Sequence, residues 1–308
     1  MKNKIVVVGS SNVDLIMKMH HLPEKGETVT GAKFMQVYGG KGANQAVAAA
    51  RAGGNVTFVS CVGEDAYTPQ MVQNYKKDGI DTSFVFQEKG VASGHALIMV
   101  DDSGENIISV ASEANNLLLP EKIDVASPVF NDAAMIVMQY EIPEETVKYV
   151  IDYANRKNIP VLWNCAPASA FDLSYIPKIN ILVLNEVEAG FLAGIPIENE
   201  SDAEKASQKL VDSGVEKVII TLGSKGAFVV TETEKVSVPA FKVEAVDTTA
   251  AGDTFCGAFA VALVEGKSLK DALQFASAAA AISVTRIGAQ PSAPTRIEID
   301  EFLKESKN

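Results

Sequence analysis

Several short segments of this chain are apolar almost from end to end and rich in β-branched residues: KIVVVGS (4–10), NVTFVSCVG (55–63), AAMIVMQY (133–140), IPVLWNC (159–165), INILVLN (179–185) and KVIITLG (217–223). A strand with one face in water alternates apolar and polar residues, so a strand without that alternation must be covered on both faces. Between these runs lie stretches of helical period, ANQAVAAARAG, TPQMVQNYKKDG, PEETVKYVIDYANRKN and SDAEKASQKLVDSG. Ser201 followed by Glu204 predicts a capping box, and Gly79 and Gly214 stand where helices should end. The alternation predicts an α/β fold, a doubly wound, mostly parallel sheet with helices on both faces and ligands at the carboxyl ends of the strands.

Two regions break the rhythm. Residues 13–38 and 84–112, the latter containing SGHALIMVDDSGENIISVAS, read as shorter strands joined by polar turns, more typical of an antiparallel sheet. No Pro/Gly/Ser-rich linker sets them apart, so they are expected to form a small β lid inserted in a single domain, 1–308. Beyond residue 250 the pattern is almost entirely helical.

A formal net charge of −12 argues against a nucleic-acid or anionic-membrane partner, because most of the surface would repel phosphates. MKNK runs straight into IVVVGS, too short an apolar run for a signal peptide, and no stretch approaches the roughly 20 apolar residues of a membrane span. A cytoplasmic protein is expected. Cys61, Cys165 and Cys256 are far apart and form no C-x-x-C pair, which predicts buried free thiols and neither disulfides nor zinc.

VDTTAAGDTFCGAF (246–259) carries the sharpest chemical signal. Small residues at Ala250, Ala251 and Gly252 stand where a helix should begin, leaving first-turn N–H groups open to something the size of a phosphoryl group. Asp253 behind them either complements the helix dipole or serves as general base for an incoming hydroxyl. In YGGKGANQAVAAA (38–50), Gly39, Gly40 and Gly42 allow close backbone approach, and Asn44 offers both a donor and an acceptor. This is neither a P-loop nor G-x-G-x-x-G, since residue 45 is Gln. GSSNVDLI places Asn12 and Asp14 at the carboxyl end of the first strand. In NEVE, Asn185 and Glu188 could address one phosphate and its hydrated Mg²⁺, or form a helix cap with a first-turn Glu. TLGSKGA (221–227) is a glycine turn that could face a nucleotide.

Taken together, GGKGANQA, DTTAAGDTF and the later SVTRIGAQPS resemble the ribokinase branch of the phosphofructokinase-B-type carbohydrate kinases, over essentially the whole chain. The resemblance implies ATP-dependent phosphorylation of D-ribose at O5, with Asp253 as the base and the N–H groups from Ala250 to Asp253 as an anion hole. It implies Asn12, Asp14, Gly40, Lys41, Gly42, Asn44 and Glu141 around the sugar. Asn185, Thr221, Gly223, Ser224, Gly226, Gly252 and Ser277 are implied around ATP, with Glu188 holding Mg²⁺ through water. A potassium ion is implied beside Asp247, Thr249, Ser283, Arg286, Gly288 and Ser292, and a homodimer through the lid strands. The chain departs from the ribokinase pattern at NCAP (164–167), where Cys165 replaces Pro, at Glu113, where Gly is usual, and at His95, where a small apolar residue is. These leave another pentose, a nucleoside or a fructose-like sugar as the alternative acceptor. A sugar-binding protein without catalysis is opposed by the retained Asp253 and Glu188; VVGSSN lacks the second Gly of a dinucleotide turn, and no G-x-S-x-G of a serine hydrolase is present.

Overall fold

The computed structural model describes residues 2–306; residues 1, 307 and 308, which belong to the expected domain 1–308, lie outside the described residues. Elements are numbered in chain order. A 9-stranded sheet runs β13-β12-β11-β10-β9-β8-β1-β4-β5. Its strands are β1 (Lys4–Val8), β4 (Asn55–Gly63), β5 (Asp81–Glu88), β8 (Ala133–Met138), β9 (Val161–Asn164), β10 (Ile181–Asn185), β11 (Lys217–Thr221), β12 (Ala227–Val230) and β13 (Lys235–Val238). All neighbours pair parallel from β5 across to β11, and β12 and β13 close that edge antiparallel.

The helices are α1 (Lys41–Arg51), α2 (Thr68–Lys77), α3 (Pro120–Val125), α4 (Glu144–Lys157), α5 (Glu186–Ala193), α6 (Glu200–Asp212), α7 (Ala251–Val264), α8 (Leu269–Ser283) and α9 (Arg296–Glu305). Successive residues of β1 show why its sequence has no polar face. Ile5 and Val7 enter one core with residues of α1, α7 and α8, while Val6 and Val8 enter the other with residues of α3 to α6. Each apolar side chain so buried contributes roughly 1.5–3 kcal/mol. Among the described residues no helix is long and apolar enough to cross a membrane.

A smaller, 4-stranded sheet stands apart, in the order β3-β2-β6-β7, with β2 (Asn12–Lys18), β3 (Lys33–Gly39), β6 (Gly94–Val100) and β7 (Asn106–Ala111). It differs from the sequence expectation in two ways. Residues 84–88 belong to β5 of the large sheet, and β2 pairs with β6 in parallel, although the other two pairings are antiparallel. The chain leaves the small sheet after β3, runs through α1, β4, α2 and β5, and re-enters beside β2 in the same direction. Asn12 and Asp14 likewise lie beyond the end of β1, as the first residues of β2.

The capping signal at Ser201 and Glu204 is also displaced. The cap of α6 is Asn199, whose side chain accepts a hydrogen bond from Asp202 N at 3.1 Å, so Ser201 sits inside the first turn and Glu204 pairs with Lys235. Asn caps at least as well as Ser, and the earlier cap lengthens the helix. Gly79 and Gly214, at φ 79° and 110°, do follow the ends of α2 and α6. Glu113 is left-handed at φ 42°, a conformation that strains any residue with a Cβ. Glu113→Gly is therefore expected to stabilise the protein by about 1 kcal/mol, raising the melting temperature by about 2 °C. A lower melting temperature would show that the side chain holds the turn.

Candidate active site

The carboxyl ends of β1, β8, β9, β10 and β11 converge on the first turn of α7. Ala250, left-handed at φ 58°, turns the chain into that helix, and Asp253 lies in its first turn with 6% of its surface exposed. The first-turn N–H of Ala251 donates to Thr248 O at 3.3 Å, those of Gly252 and Asp253 have no intrahelical acceptor, and nothing lies within 4 Å of where a Cβ on Gly252 would be. The helix start thus borders a cleft of about 190 Å³, whose walls include Lys41, Asn185, Glu188, Thr221, Thr248 and Ala250–Asp253.

Lys41 is the first residue of α1 and the cation of this cleft. Burial opposes its charge, but Asp253, Glu141 and Glu188 outweigh that and hold its pKa above the ordinary lysine value. The sequence resemblance put Lys41 with the sugar residues; it lines the cleft beside the start of α7, and its backbone N–H donates to Glu141. Asn185 and Glu188 form a reciprocal capping box on α5: Glu188 N donates to Asn185 Oδ1 at 2.8 Å and Asn185 N to Glu188 Oε2 at 2.9 Å. The capping reading of that pair therefore holds, and the capped residues also line the cleft. Burial raises the pKa of Glu188, with the backbone N–H of Asn185 opposing.

On the other side of Asp253 lies a polar recess built by two turns. Gly40 has φ 87°, and a Cβ there would come within 3.0 Å of Ser11 and Asn12 backbone atoms. A Cβ on Gly42 would fall 2.5 Å from the backbone of Gly9 and Ser10, so only glycine lets α1 seat this closely on the turn after β1. Glu141 Oε2 accepts from Ser10 Oγ at 2.6 Å and from Lys41 N at 3.0 Å, tying the two turns together. Asn12 Oδ1 accepts from Asn115 Nδ2 at 2.7 Å, and Asn44 Nδ2 donates to Asp253 Oδ2 at 3.0 Å. Asn44 Oδ1 is buried without a hydrogen-bond partner. Asp14 is pushed up to about 7 by its burial, then by the charges of Glu141 and Asp253.

Register decides which small-sheet residues share this recess. Asp14 lies opposite Val37 and Ala96, and Ala96 opposite Val110. His95 belongs to the alternate row, opposite Val13, and its ring packs edge-on against Tyr67 with centroids 5.4 Å apart. It points to the face away from Asp14, so its departure from the family pattern does not bear on the recess. Glu113 is exposed, and Cys165 is buried at 2% exposure, as are the thiols of Cys61 and Cys256.

Gly223, Ser224 and Gly226 form the turn after β11, next to Thr221 but outside the walls of the cleft, and Ser277 is half-buried midway along α8. The residues expected at the cation do cluster in part. Asp247 accepts from Thr249 N and from Gly288 N, both at 2.9 Å, which joins the segment before α7 to the loop after α8. Ser283 and Ser292 are buried, with hydroxyls donating to Ala280 O and Ala289 O, and Arg286 turns to Glu298 at 2.6 Å. Sequence reasoning missed Ser10, Gln45, Asn115 and Thr248. Thr248 could have been found, because it lies inside the DTTAAGD stretch; Asn115 stands 103 residues from Asn12 with no local signal.

A model of the pfkB family carbohydrate kinases matches residues 2–296. The ribokinase of Haemophilus influenzae is 41% identical over 304 residues, covering 99% of both chains. A deoxyribokinase of Salmonella typhi is 39% identical over 300 residues, covering 97% of this chain and 98% of its own. Among solved structures, the Arabidopsis thaliana ribokinase complexed with ribose and ATP superposes with a TM-score of 0.92 at 34% identity, covering 99% of both chains.

Proposed function

The chain belongs to the pfkB family of carbohydrate kinases, and from that membership together with its site we propose that it transfers the γ-phosphoryl group of ATP to O5 of D-ribose. The observation that carries the mechanism is the buried Asp253 carboxylate at the start of α7, between a polar recess and a cleft. Asp253 takes the proton from the sugar hydroxyl; the freed oxygen forms the new O–P bond while the bond from the γ-phosphorus to the bridging oxygen breaks and ADP leaves with the electron pair. First-turn N–H groups from Ala250 to Asp253 and the Lys41 ammonium face the charge that develops on the phosphoryl oxygens.

The acceptor sits on the recess side. Asn12, Asp14, Asn44 and Glu141 supply its hydrogen bonds, and Gly40 and Gly42 shape the turns that hold them. Asn185, Thr221 and the Gly223–Gly226 turn serve the nucleotide, with Ser277 near the base. Glu188 offers one carboxylate, which suits Mg²⁺ held largely through water; the ion neutralises phosphate charge. Asp247, Thr249, Ser283, Arg286, Gly288 and Ser292 would hold a monovalent cation, potassium in this reading, for which one carboxylate among hydroxyl and carbonyl oxygens would be a suitable set. The small sheet, from about 13–38 and the later part of 84–112, acts as a lid over the sugar. Its Phe34, Leu97 and Ile107, on the face away from Asp14, are 48–60% exposed, and pairing of two such sheets in a homodimer would cover them. A cytoplasmic location goes with an ATP-dependent reaction.

The relative named a deoxyribokinase favours one second reading, 2-deoxy-D-ribose as acceptor. ADP release with ATP and Mg²⁺, measured on both sugars and a panel of pentoses, nucleosides and fructose, tests both. We expect ribose to give the highest kcat/KM, potassium to raise it over sodium, and the protein to sediment as a dimer. A higher kcat/KM on 2-deoxyribose would transfer the assignment to that sugar, and no turnover on any acceptor would leave a binding protein.

A further inference from the structure

Behind Asp253 runs a chain of buried amides, Gln139, Gln45 and Asn164, to which no role has been given; only Asn164 reaches the wall of the cleft. Gln45 Nε2 donates to Asp253 Oδ1 at 2.9 Å and to Asn164 Oδ1 at 3.1 Å. Gln139 Nε2 donates to Gln45 Oε1 at 2.8 Å, and Asn164 Nδ2 to Val183 O at 3.0 Å. Gln45 and Gln139 are 0% and 1% exposed. The direction of the chain is dictated from its charged end. An ionised carboxylate only accepts, so Gln45 must turn its NH₂ group to Asp253; its carbonyl then faces Gln139, which must present its own NH₂ group in turn. The consequence appears at the far end, where Gln139 Oε1 is buried with no hydrogen-bond partner. An apolar core at these positions would leave no such orphan, which ties the amides to the carboxylate they orient.

We propose that Gln45, anchored by Gln139 and Asn164, is a positioning residue for Asp253: it commits Oδ1 to the interior and leaves Oδ2, on the Asn44 side, as the oxygen that receives the alcohol proton. The proposal rests on Asp253 being the general base. Gln45 is 0% exposed and lies outside the walls of the cleft, so its removal is expected to act on the aim of the base and not on sugar binding.

The test compares Gln45→Met, Asp253→Asn and the double variant, with kcat from ADP release and ribose affinity from calorimetry. Gln45→Met is expected to lower kcat about 10- to 100-fold with ribose affinity within about threefold, and to cost nothing further in the Asp253→Asn background. A kcat within twofold of the unchanged protein overturns the proposal, and so does an equal loss in both backgrounds, which marks a structural role. Undiminished turnover in Asp253→Asn alone sinks the general-base reading itself. Should Gln45→Met fail to fold, Gln45→Glu decides. Its carboxyl donates to Oδ1 only when protonated, so its kcat relative to the unchanged protein should rise as pH falls from 8 to 6; a profile parallel to the unchanged protein's overturns the proposal.

Discussion

Asp253→Asn is expected to lower kcat by about 10²- to 10⁴-fold while leaving ribose affinity within about threefold and the fold intact. The amide fits the carboxylate's volume, and the side chain stays in the first turn of α7, so the packing of Phe255 and Cys256 behind it is undisturbed. What changes is chemical. An amide oxygen cannot hold a proton taken from an alcohol, so the nucleophile must attack before it is deprotonated. The exchange also disturbs two donors, because Asn44 and Gln45 both point N–H groups at the carboxylate and one of them would then face the new NH₂. A modest loss of stability is therefore compatible with the role, whereas turnover within tenfold of the unchanged protein is not. The two measurements must be made together: weak binding with high residual kcat would assign Asp253 to the sugar and not to the reaction.

That residue also marks the limit of what the sequence reveals. The position of Asp253 was legible because a helix start announces itself locally, in three small residues followed by an acid and a long apolar run. The large sheet was legible for a similar reason, since every strand buried on both faces lacks polar alternation. By contrast, the lid's boundary at residues 84–88 was misplaced because SFVFQ reads as a strand wherever it pairs, and only the partner, β4, decides which sheet owns it. His95 illustrates the same point at one residue. Its neighbours in sequence put it in a lid strand, but a strand has two faces, and register against Val13 turns it away from the recess.

The electrostatics of the recess were not legible either, because they arise from carboxylates distant in sequence. Asp14, Glu141 and Asp253 come from β2, the turn after β8 and α7, and Lys41 from the start of α1. One ammonium among these acids, with Glu188 near by, explains why a site for a polyanionic donor carries so little positive charge of its own. In the proposed reaction the N–H groups of α7 and Mg²⁺ would supply the rest. In an acidic chain this has a kinetic meaning: the phosphates are attracted by the site alone, not by the surface around it.

Asp14 carries the second large expectation, in which function and stability move in opposite directions. Its carboxyl has an ordinary value of 3.8 and is pushed up to about 7 in the folded protein, by burial first and then by Glu141 and Asp253. Between those values the folded chain binds a proton that the unfolded chain has lost, so stability falls as pH rises from about 4 to about 7 and levels off above. The span corresponds to roughly 2–4 kcal/mol at pH 8. Asp14→Asn removes that cost, since a neutral amide can donate to the carboxylates that repel Asp14. We expect the variant without ligand to melt at least about 4 °C higher at pH 8, with most of the gain gone by pH 4, where Asp14 is protonated in the folded chain and about half protonated in the unfolded one. Ribose affinity should meanwhile fall about 100-fold, as for loss of a charged acceptor worth about 2–3 kcal/mol to a hydroxyl. A gain in melting temperature that is the same at pH 4 and pH 8 would show that the charge of Asp14 is not its source. Unchanged ribose affinity would remove Asp14 from the sugar site. If both expectations hold, the acid is kept at a cost in stability because a sugar hydroxyl needs it there.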